Sequence, residues 1–466
     1  MKAWAKKSVL VLGLGETGLS LVRWLTAQGA HVRVADSRNN PPSLDLLQKQ
    51  FPRVEVRCGI FRSELLAGIE LIAISPGVPL RDPLVARAAA QGIPIVGDIE
   101  LFAMSLPKNQ GPKISCPKII AISGSNGKTT VTSMVGAMCR AAGKETLVAG
   151  NISPAVLDVL MQRDGKHPEI WVLELSSFQL ETTASLNADA ATVLNISEDH
   201  MDRYQDMGEY IAAKARIFRA NGAGGVQVLN RDDTDSAAMA LLERKHITFG
   251  VNTPPLNDED WGIAIDNADT WLVQGKQRVL KANELMIEGM HNVANALAAL
   301  ALCRAIDLPL PPLLDALRNF KGLPHRVEAV AEIKDVIYYD DSKGTNVGAT
   351  VAALNGLGRQ AVLIMGGDGK GQDFSPLAPA VSKHARAVVL IGRDAEKIAH
   401  ALQACDVPKL YANDMNEAVS LSAAQAQPGD AVLMSPACAS FDMYRNYVHR
   451  AEAFISAVRT LEAEAT

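Results

Sequence analysis

Gly124-Ser125-Asn126-Gly127-Lys128-Thr129-Thr130 follows directly on the apolar run Lys118–Ser123. A strand that empties into a glycine turn and then a helix aims backbone N–H groups, and the positive end of the helix dipole, at one spot. Lys128 adds a mobile cation there, and the Thr129 hydroxyl can ligate Mg²⁺. The spacing is G-x-x-G-K-T, because Ile122 stands where a longer phosphate loop carries another glycine. Residues of these types in this order suit the holding and transfer of a nucleotide phosphate. A glycine turn with a solvated lysine is the competing reading, and the strand–turn–helix setting counts against it.

Further along, Glu174 interrupts the apolar strand Ile170–Leu175. A carboxylate buried there needs a cation, and Mg²⁺ supplies one. The stretch Asn195–Tyr204 crowds Glu198, Asp199, His200 and Asp202 at a strand end. Magnesium favours oxygen ligands, while His200 can add a nitrogen ligand or hold a water. Lys214 follows on a helix, where a solvated lysine is the plain alternative. His291 and Asn295 stand four apart on one helix face, and an Asn amide offers both a donor and an acceptor to an adenine edge, although out of context the pair reads as helix capping. Arg326, Lys343 and Lys370 lie just past strands in the last third, where basic groups suit a carboxylate or phosphate. Near the amino end, Gly13-Leu14-Gly15-Glu16-Thr17-Gly18 precedes Asp36, which ends the next strand 18 residues after Gly18. That pattern suits a diphosphate at a helix start with an acid near a ribose, and a nicotinamide cofactor is one option.

Three blocks of short apolar strands alternating with helical patterns position these residues. The expected fold is α/β, three domains, each with a mostly parallel sheet flanked by helices. Strands are expected at Ser8–Leu12, His31–Ala35, Leu71–Ser75 and Ile93–Val96, then at Lys118–Ser123, Ile170–Leu175, Ala191–Asn195 and Val226–Asn230. A two-strand ribbon Trp271–Lys281 turns at Gly275, and a long alanine-rich helix Met290–Ile306 is ended by Leu308–Pro312. The last block carries strands near Val336–Asp340, Ala361–Met365, Ala387–Ile391 and Ala431–Ser435. A final helix runs from about Phe441 to Leu461, with Glu462–Thr466 as a frayed end. Leu106–Pro117, rich in Pro, Gly and Lys, reads as a linker.

The chain has 466 residues, 48% hydrophobic and 21% charged, which is too long for one core. Its net charge of −5, with acids and bases interspersed, argues against a nucleic-acid or anionic-membrane partner. Six scattered cysteines read as free thiols of a reducing compartment. The amino end shows no signal-peptide pattern and no apolar run reaches membrane-span length, so a cytoplasmic location is expected.

Taken in order, GLGETGLS, Ser75-Pro76-Gly77, Gly97-Asp98-Ile99-Glu100, GSNGKTT, LELSSFQLE, EDHMDRY, LPHR, DSKGTN and SPACAS resemble the Mur ligase family across the whole chain. Those enzymes have three domains and add amino acids to the peptidoglycan precursor in the bacterial cytoplasm; the likeness is to the D-glutamate-adding members. The resemblance implies a Rossmann-like domain at 1–110 for a UDP substrate, a P-loop ATPase-like domain at 111–322 for ATP, and a Rossmann-like domain at 323–466 for the amino acid. It implies UDP-N-acetylmuramoyl-L-alanine and D-glutamate as substrates, an acyl-phosphate intermediate, two Mg²⁺ sites and a monomer.

Carried over by position, Lys128, Asn151, His200 and Lys214 serve catalysis. Gly124, Ser125, Asn126, Gly127, Lys128, Thr129 and Thr130 hold ATP together with Asn295, Arg326 and Asp341. The UDP substrate falls to Gly15, Thr17, Asp36, Ser37, Arg38, Ser75 and Gly77. Lys343, Thr345, Lys370, Ser440 and Tyr447 receive D-glutamate, and Tyr447 stands where the family pattern has Phe. Thr129, Glu174 and His200 ligate metal, joined by Lys214 as a carbamate, since an ammonium would repel Mg²⁺ and a carbamate oxygen can bind it. Other amino-acid-adding Mur enzymes and folate polyglutamate ligases share the ATP loop but not the pair LELSSFQLE and DSKGTN. A nicotinamide oxidoreductase would leave the phosphate loop unused, and Glu174, His200 and Lys214 together count against a nucleotide-binding module without chemistry.

Overall fold

A computed structural model describes residues 4–107, 116–219, 224–267 and 269–465. Most of the expected linker, 108–115, lies outside the described residues.

Within them the strands form three sheets. The first is parallel throughout, in the order Glu55–Cys58, His31–Asp36, Ser8–Leu12, Leu71–Ile74, Ile95–Val96. Its centre is an apolar run, Val9–Leu12, buried on both faces as parallel strands require. Glycine is needed where this sheet gives way to its loops. Gly13 has φ +88°, and a Cβ there would stand 2.8 Å from the Ser75 Cβ, so the glycine loop and the Ser75 loop come together only because Gly13 is bare.

The second sheet runs Thr146–Gly150, Ile170–Glu174, Lys118–Ser123, Ala190–Val193, Val226–Asn230, His246–Phe249, all parallel, then continues into an antiparallel ribbon. The ribbon pairs Asp269–Gln274 with Gln277–Lys281 around Gly275, as expected, but Trp261–Asp266 joins it as a third strand. Met290–Ala305 is helical, packs against the helix Lys128–Ala141, and is wholly buried from Ala296 to Cys303. Leu308–Pro312 does not simply stop it. A new helix, Leu310–Arg318, begins there, because proline in the first turn has no intrahelical N–H to lose.

In the third sheet Glu328–Ile333 is antiparallel to Val336–Asp340, followed by the parallel strands Ala431–Met434, Ala361–Gly366, Ala385–Ile391 and Lys409–Tyr411. The last helix is Tyr447–Ala465, so it starts six residues later than expected and carries most of the acidic tail within it. Ser440 to Asn446 instead form turns, with Met443 and Tyr444 donating to the Ser440 carbonyl. Among the described residues no helix is long and apolar enough to cross a membrane.

The first and second sheets share one apolar cluster, in which the Phe102 ring meets Trp171 edge-on at 5.0 Å. Buried polar contacts cross the same boundary. Glu100 accepts from Ala184 N and Ser185 N, and Gln179 Nε2 donates to Asp98 Oδ2 at 3.1 Å. Burial pushes the Asp98 carboxyl up to about 6, although the Gln179 hydrogen bond favours its charged form. A raised carboxyl pKa contributes stability that is full below the ordinary value near 3.8 and is lost as pH rises through 6. Asp98→Asn is therefore expected to become more stable relative to the parent between pH 4 and pH 7.5, by about 2–3 kcal/mol. Urea melts of both proteins at the two pH values measure it, and parallel pH dependence of the two would refute it.

Candidate active site

The strand Lys118–Ser123 ends at the phosphate loop, and Gly127, in the left-handed region at φ +80°, precedes the helix Lys128–Ala141. A Cβ on Gly127 would stand 2.6 Å from Asn295 Oδ1, so this glycine lets the loop meet the helix Met290–Ala305. Asn195 straps the loop in place. Its side chain accepts from Asn126 N at 2.8 Å and donates to Asn126 O at 3.1 Å, while its carbonyl accepts from Ser125 N. The Ser125 hydroxyl is committed to Ser197 and to the Tyr210 hydroxyl at 3.0 Å. Asn195 and Tyr210 brace this loop through contacts far apart in sequence, which motif spacing does not reveal.

Lys128 Nζ donates to Gly124 O at 2.8 Å and Ser125 O at 2.9 Å. The surrounding protein pushes its ammonium down, Glu174 and Asp199 pull it up, and Arg326 and Lys370 push it down again. The phosphate loop thus lies among charges drawn from two sheets. Glu174 ends Ile170–Glu174 and is buried; Asn151 Nδ2 donates to its Oε1 at 2.9 Å, whereas its Oε2 is buried without a partner. A buried carboxylate oxygen with no donor is costly unless a cation meets it. Oε2 therefore fits a hard divalent ion such as Mg²⁺, and the Thr129 hydroxyl stands at the start of the adjacent helix.

Lys214 Nζ, fully buried, donates to Gly124 O at 2.8 Å and sits 4.7 Å from the Tyr210 ring centre. Burial, then the Lys128 charge, hold its amine far below the ordinary lysine value. A neutral amine is the form that reacts with CO₂, so the setting suits a carbamate. His200 has φ +59°, its ring edge-on to Phe178 at 4.7 Å and its Nε2 3.5 Å from Asp199 Oδ2. The surrounding protein lowers its pKa to about 4 against the pull of Asp199, leaving the imidazole neutral and able to ligate a metal.

Asp199 joins the second sheet's loops to the third sheet. Lys370 Nζ forms a close ion pair with its Oδ1, and Asn346 Nδ2 donates to its Oδ2 at 3.4 Å. Burial would raise this carboxyl, but Lys370 and His200 outweigh it and hold it at about 2. Nearby, Arg326, Asp341 and Lys343 line a cleft of about 340 Å³ with Asn126, Gly127, Thr130 and Asn295. Burial pushes Asp341 up to about 7 although Ser435 Oγ donates to it at 2.6 Å, and burial lowers Lys343 to about 8. Lys343 Nζ lies 3.9 Å over the Tyr447 ring, a cation–π contact. Thr345 is half-buried beside Lys343, and Ser440 is buried at the Ser435–Ser440 turn.

A second cleft, about 290 Å³, brings Gly15, Thr17, Ser75 and Gly77 of the first sheet's loops against Asn151. Asp36 is buried and fully engaged. Leu14 N donates to its Oδ2 at 2.7 Å and Arg38 donates to both oxygens, so Asp36 locks the glycine loop while Ser37 and Arg38 stay exposed.

Comparison with known proteins extends this picture. The Mur ligase middle domain matches residues 122–303, the Mur ligase MurD-like N-terminal domain residues 7–97, and the Mur ligase glutamate ligase domain residues 325–438. The chain is 60% identical over 459 residues to a UDP-N-acetylmuramoylalanine--D-glutamate ligase of Nitrosospira multiformis, covering 98% of this chain and 96% of that one. To the protein of the same name in Nitrosomonas europaea it is 57% identical, covering 98% and 97%. Among solved structures it is similar in fold to a UDP-N-acetylmuramate-alanine ligase from Thermotoga maritima, with TM-score 0.60 and 18% identity over 97% of this chain and 99% of that one. A pseudomurein peptide ligase type C from Methanothermus fervidus gives TM-score 0.59 at 18% identity, over 98% and 100%.

Proposed function

The chain belongs to the Mur ligase family, and from that premise we propose that it joins D-glutamate to UDP-N-acetylmuramoyl-L-alanine at the expense of ATP, in cytoplasmic peptidoglycan-precursor synthesis. Identity of 60% along nearly the whole of a relative so named carries this reading. All the residues given roles in this reading come from one chain, so it requires no partner copy.

A free carboxylate is a poor electrophile. One oxygen of the substrate carboxylate attacks the γ-phosphorus, ADP leaves, and the acyl phosphate so formed is open to an amine. The D-glutamate nitrogen then adds to the acyl carbon and loses a proton, and inorganic phosphate departs as the amide forms. Catalysis of these steps needs positioning and charge neutralisation more than a protein nucleophile. Lys128 and the N–H groups of Gly124–Thr130 hold the transferring phosphate, with Asn295, Arg326 and Asp341 around the rest of the nucleotide. Two Mg²⁺ ions, held by Thr129, Glu174, His200 and a carbamate on Lys214, would offset phosphate charge and polarise the phosphoryl group. Asn151 lines the second cleft and donates to Glu174; in this reading it faces the reacting carboxylate. Gly15, Thr17, Asp36, Ser37, Arg38, Ser75 and Gly77 take the UDP part in the domain at 1–110, ATP occupies 111–322, and 323–466 binds the amino acid. There Lys343 and Lys370 meet the two carboxylates of D-glutamate, with Thr345, Ser440 and Tyr447 fixing its orientation.

Phosphate release with UDP-N-acetylmuramoyl-L-alanine and ATP, scanned across D- and L-amino acids, tests the reading. Release is expected to require D-glutamate. Dependence on L-alanine, lysine or meso-diaminopimelate instead would overturn it.

A further inference from the structure

Arg203 is absent from the roles assigned so far, yet it is among the most heavily engaged cations in the molecule. Its side chain is only 10% exposed. Nη1 donates to Pro76 O at 3.2 Å, and Nη2 donates to Val78 O at 3.3 Å and to Glu181 Oε2 at 2.9 Å. The guanidinium carbon lies 4.5 Å from the centre of the Phe178 ring, the same ring that meets His200 edge-on. Its own backbone N–H donates to the His200 carbonyl at 2.9 Å. A reciprocal contact runs the other way, from Arg81 Nη2 to Asp202 O at 2.8 Å.

We infer that Arg203 is a positioning residue that fixes the loop Ser75–Gly77 to the segment carrying His200, so that a substrate gripped by that loop presents its carboxylate to the metal and phosphate groups. The inference rests on reading Ser75 and Gly77 as contacts of the UDP substrate. A planar fork meets two carbonyls and one carboxylate while stacking on an aromatic face, which a lysine ammonium cannot do at once. Glu181 and Phe178 share one short helix, Ser177–Glu181, whose Gln179 binds Asp98 of the first sheet's region. Losing the guanidinium frees the loop on one side and the edge-on Phe178–His200 pair on the other.

Two variants test it, Arg203→Lys, which keeps the charge, and Glu181→Gln, which removes the carboxylate that orients the fork. Arg203→Lys is expected to raise KM for UDP-N-acetylmuramoyl-L-alanine about tenfold, and Glu181→Gln to raise it by less. KM for ATP is expected to stay within about twofold, because the phosphate loop makes no contact with either residue. A merely structural role would instead move both KM values and the melting temperature together. Titration of the same UDP substrate into each protein by calorimetry gives a readout free of turnover. If the parent binds and turns over this substrate while both variants match its affinity, this inference alone fails. A parent that neither binds nor turns it over overturns the proposed function and this inference with it.

Discussion

Lys128→Ala is expected to lower kcat by roughly 10³-fold while leaving the fold intact, because in the proposed reaction its ammonium works on a phosphate whose charge grows in the transition state. The folded chain asks little of this side chain. Its Nζ meets only two loop carbonyls, Gly124 O and Ser125 O, and the strap from Asn195 holds the loop independently. Removal therefore leaves the melting temperature within a few degrees and takes away a cation that Glu174 and Asp199 hold in place. Single-turnover phosphate release, with UDP-substrate and D-glutamate saturating, isolates the phosphoryl step from product release. A drop confined to KM for ATP, with kcat preserved, would make Lys128 a binding group only and would refute the transition-state role.

The phosphate loop was legible because its requirement is local. A strand, two glycines, a lysine and a hydroxyl within one turn leave few other uses, and the strand Lys118–Ser123 with the helix from Lys128 bears out the expected strand–turn–helix geometry. Central parallel strands were equally plain, since burial on both faces makes them continuous apolar runs. The ribbon strand Trp261–Asp266 was not, because only its first two residues are buried and its pairing is decided by neighbours. Two helix starts also escaped: Leu308–Pro312 looked like a stop because of its prolines, and Phe441 to Asn446 look helical until the turns at the Ser440 carbonyl are seen. In the site, Asn195, Asn346 and Arg203 lie inside stretches that stand out in the sequence, but what each holds was not legible, because their partners are far away in sequence. Asp36 shows the reverse case, a motif acid whose oxygens are taken up by Leu14 and Arg38 and which therefore shapes the loop from beneath.

Lys214→Ala is expected to lose at least about 100-fold in kcat, the upper end of the loss that removing a group which orients metal ligands brings. The lysine is an unusual choice for a buried wall beside Lys128, since two ammonium groups there repel and neither is solvated. The proposed reaction of the neutral amine with CO₂ would resolve this: the nitrogen bonds to carbon, a proton leaves, and the side chain would end in an anionic carbamate. Such a product would offer an oxygen to a metal shared with Glu174 and His200 and would attract Lys128 where an ammonium repels it. Short carboxylates such as formate or acetate are thus expected to restore part of the alanine variant's activity, because they place an oxygen in the space the carbamate leaves. Chloride at equal ionic strength is expected to restore none, since a salt effect alone acts on all surface charges alike. Mass spectrometry of the intact parent under CO₂, and of Lys214→Arg as a variant that cannot be carbamylated, gives an independent readout. An alanine variant as active as the parent in CO₂-depleted buffer would dispose of the carbamate, whereas loss without carboxylate rescue would leave Lys214 as a packing residue and return its metal role to Glu174 and His200.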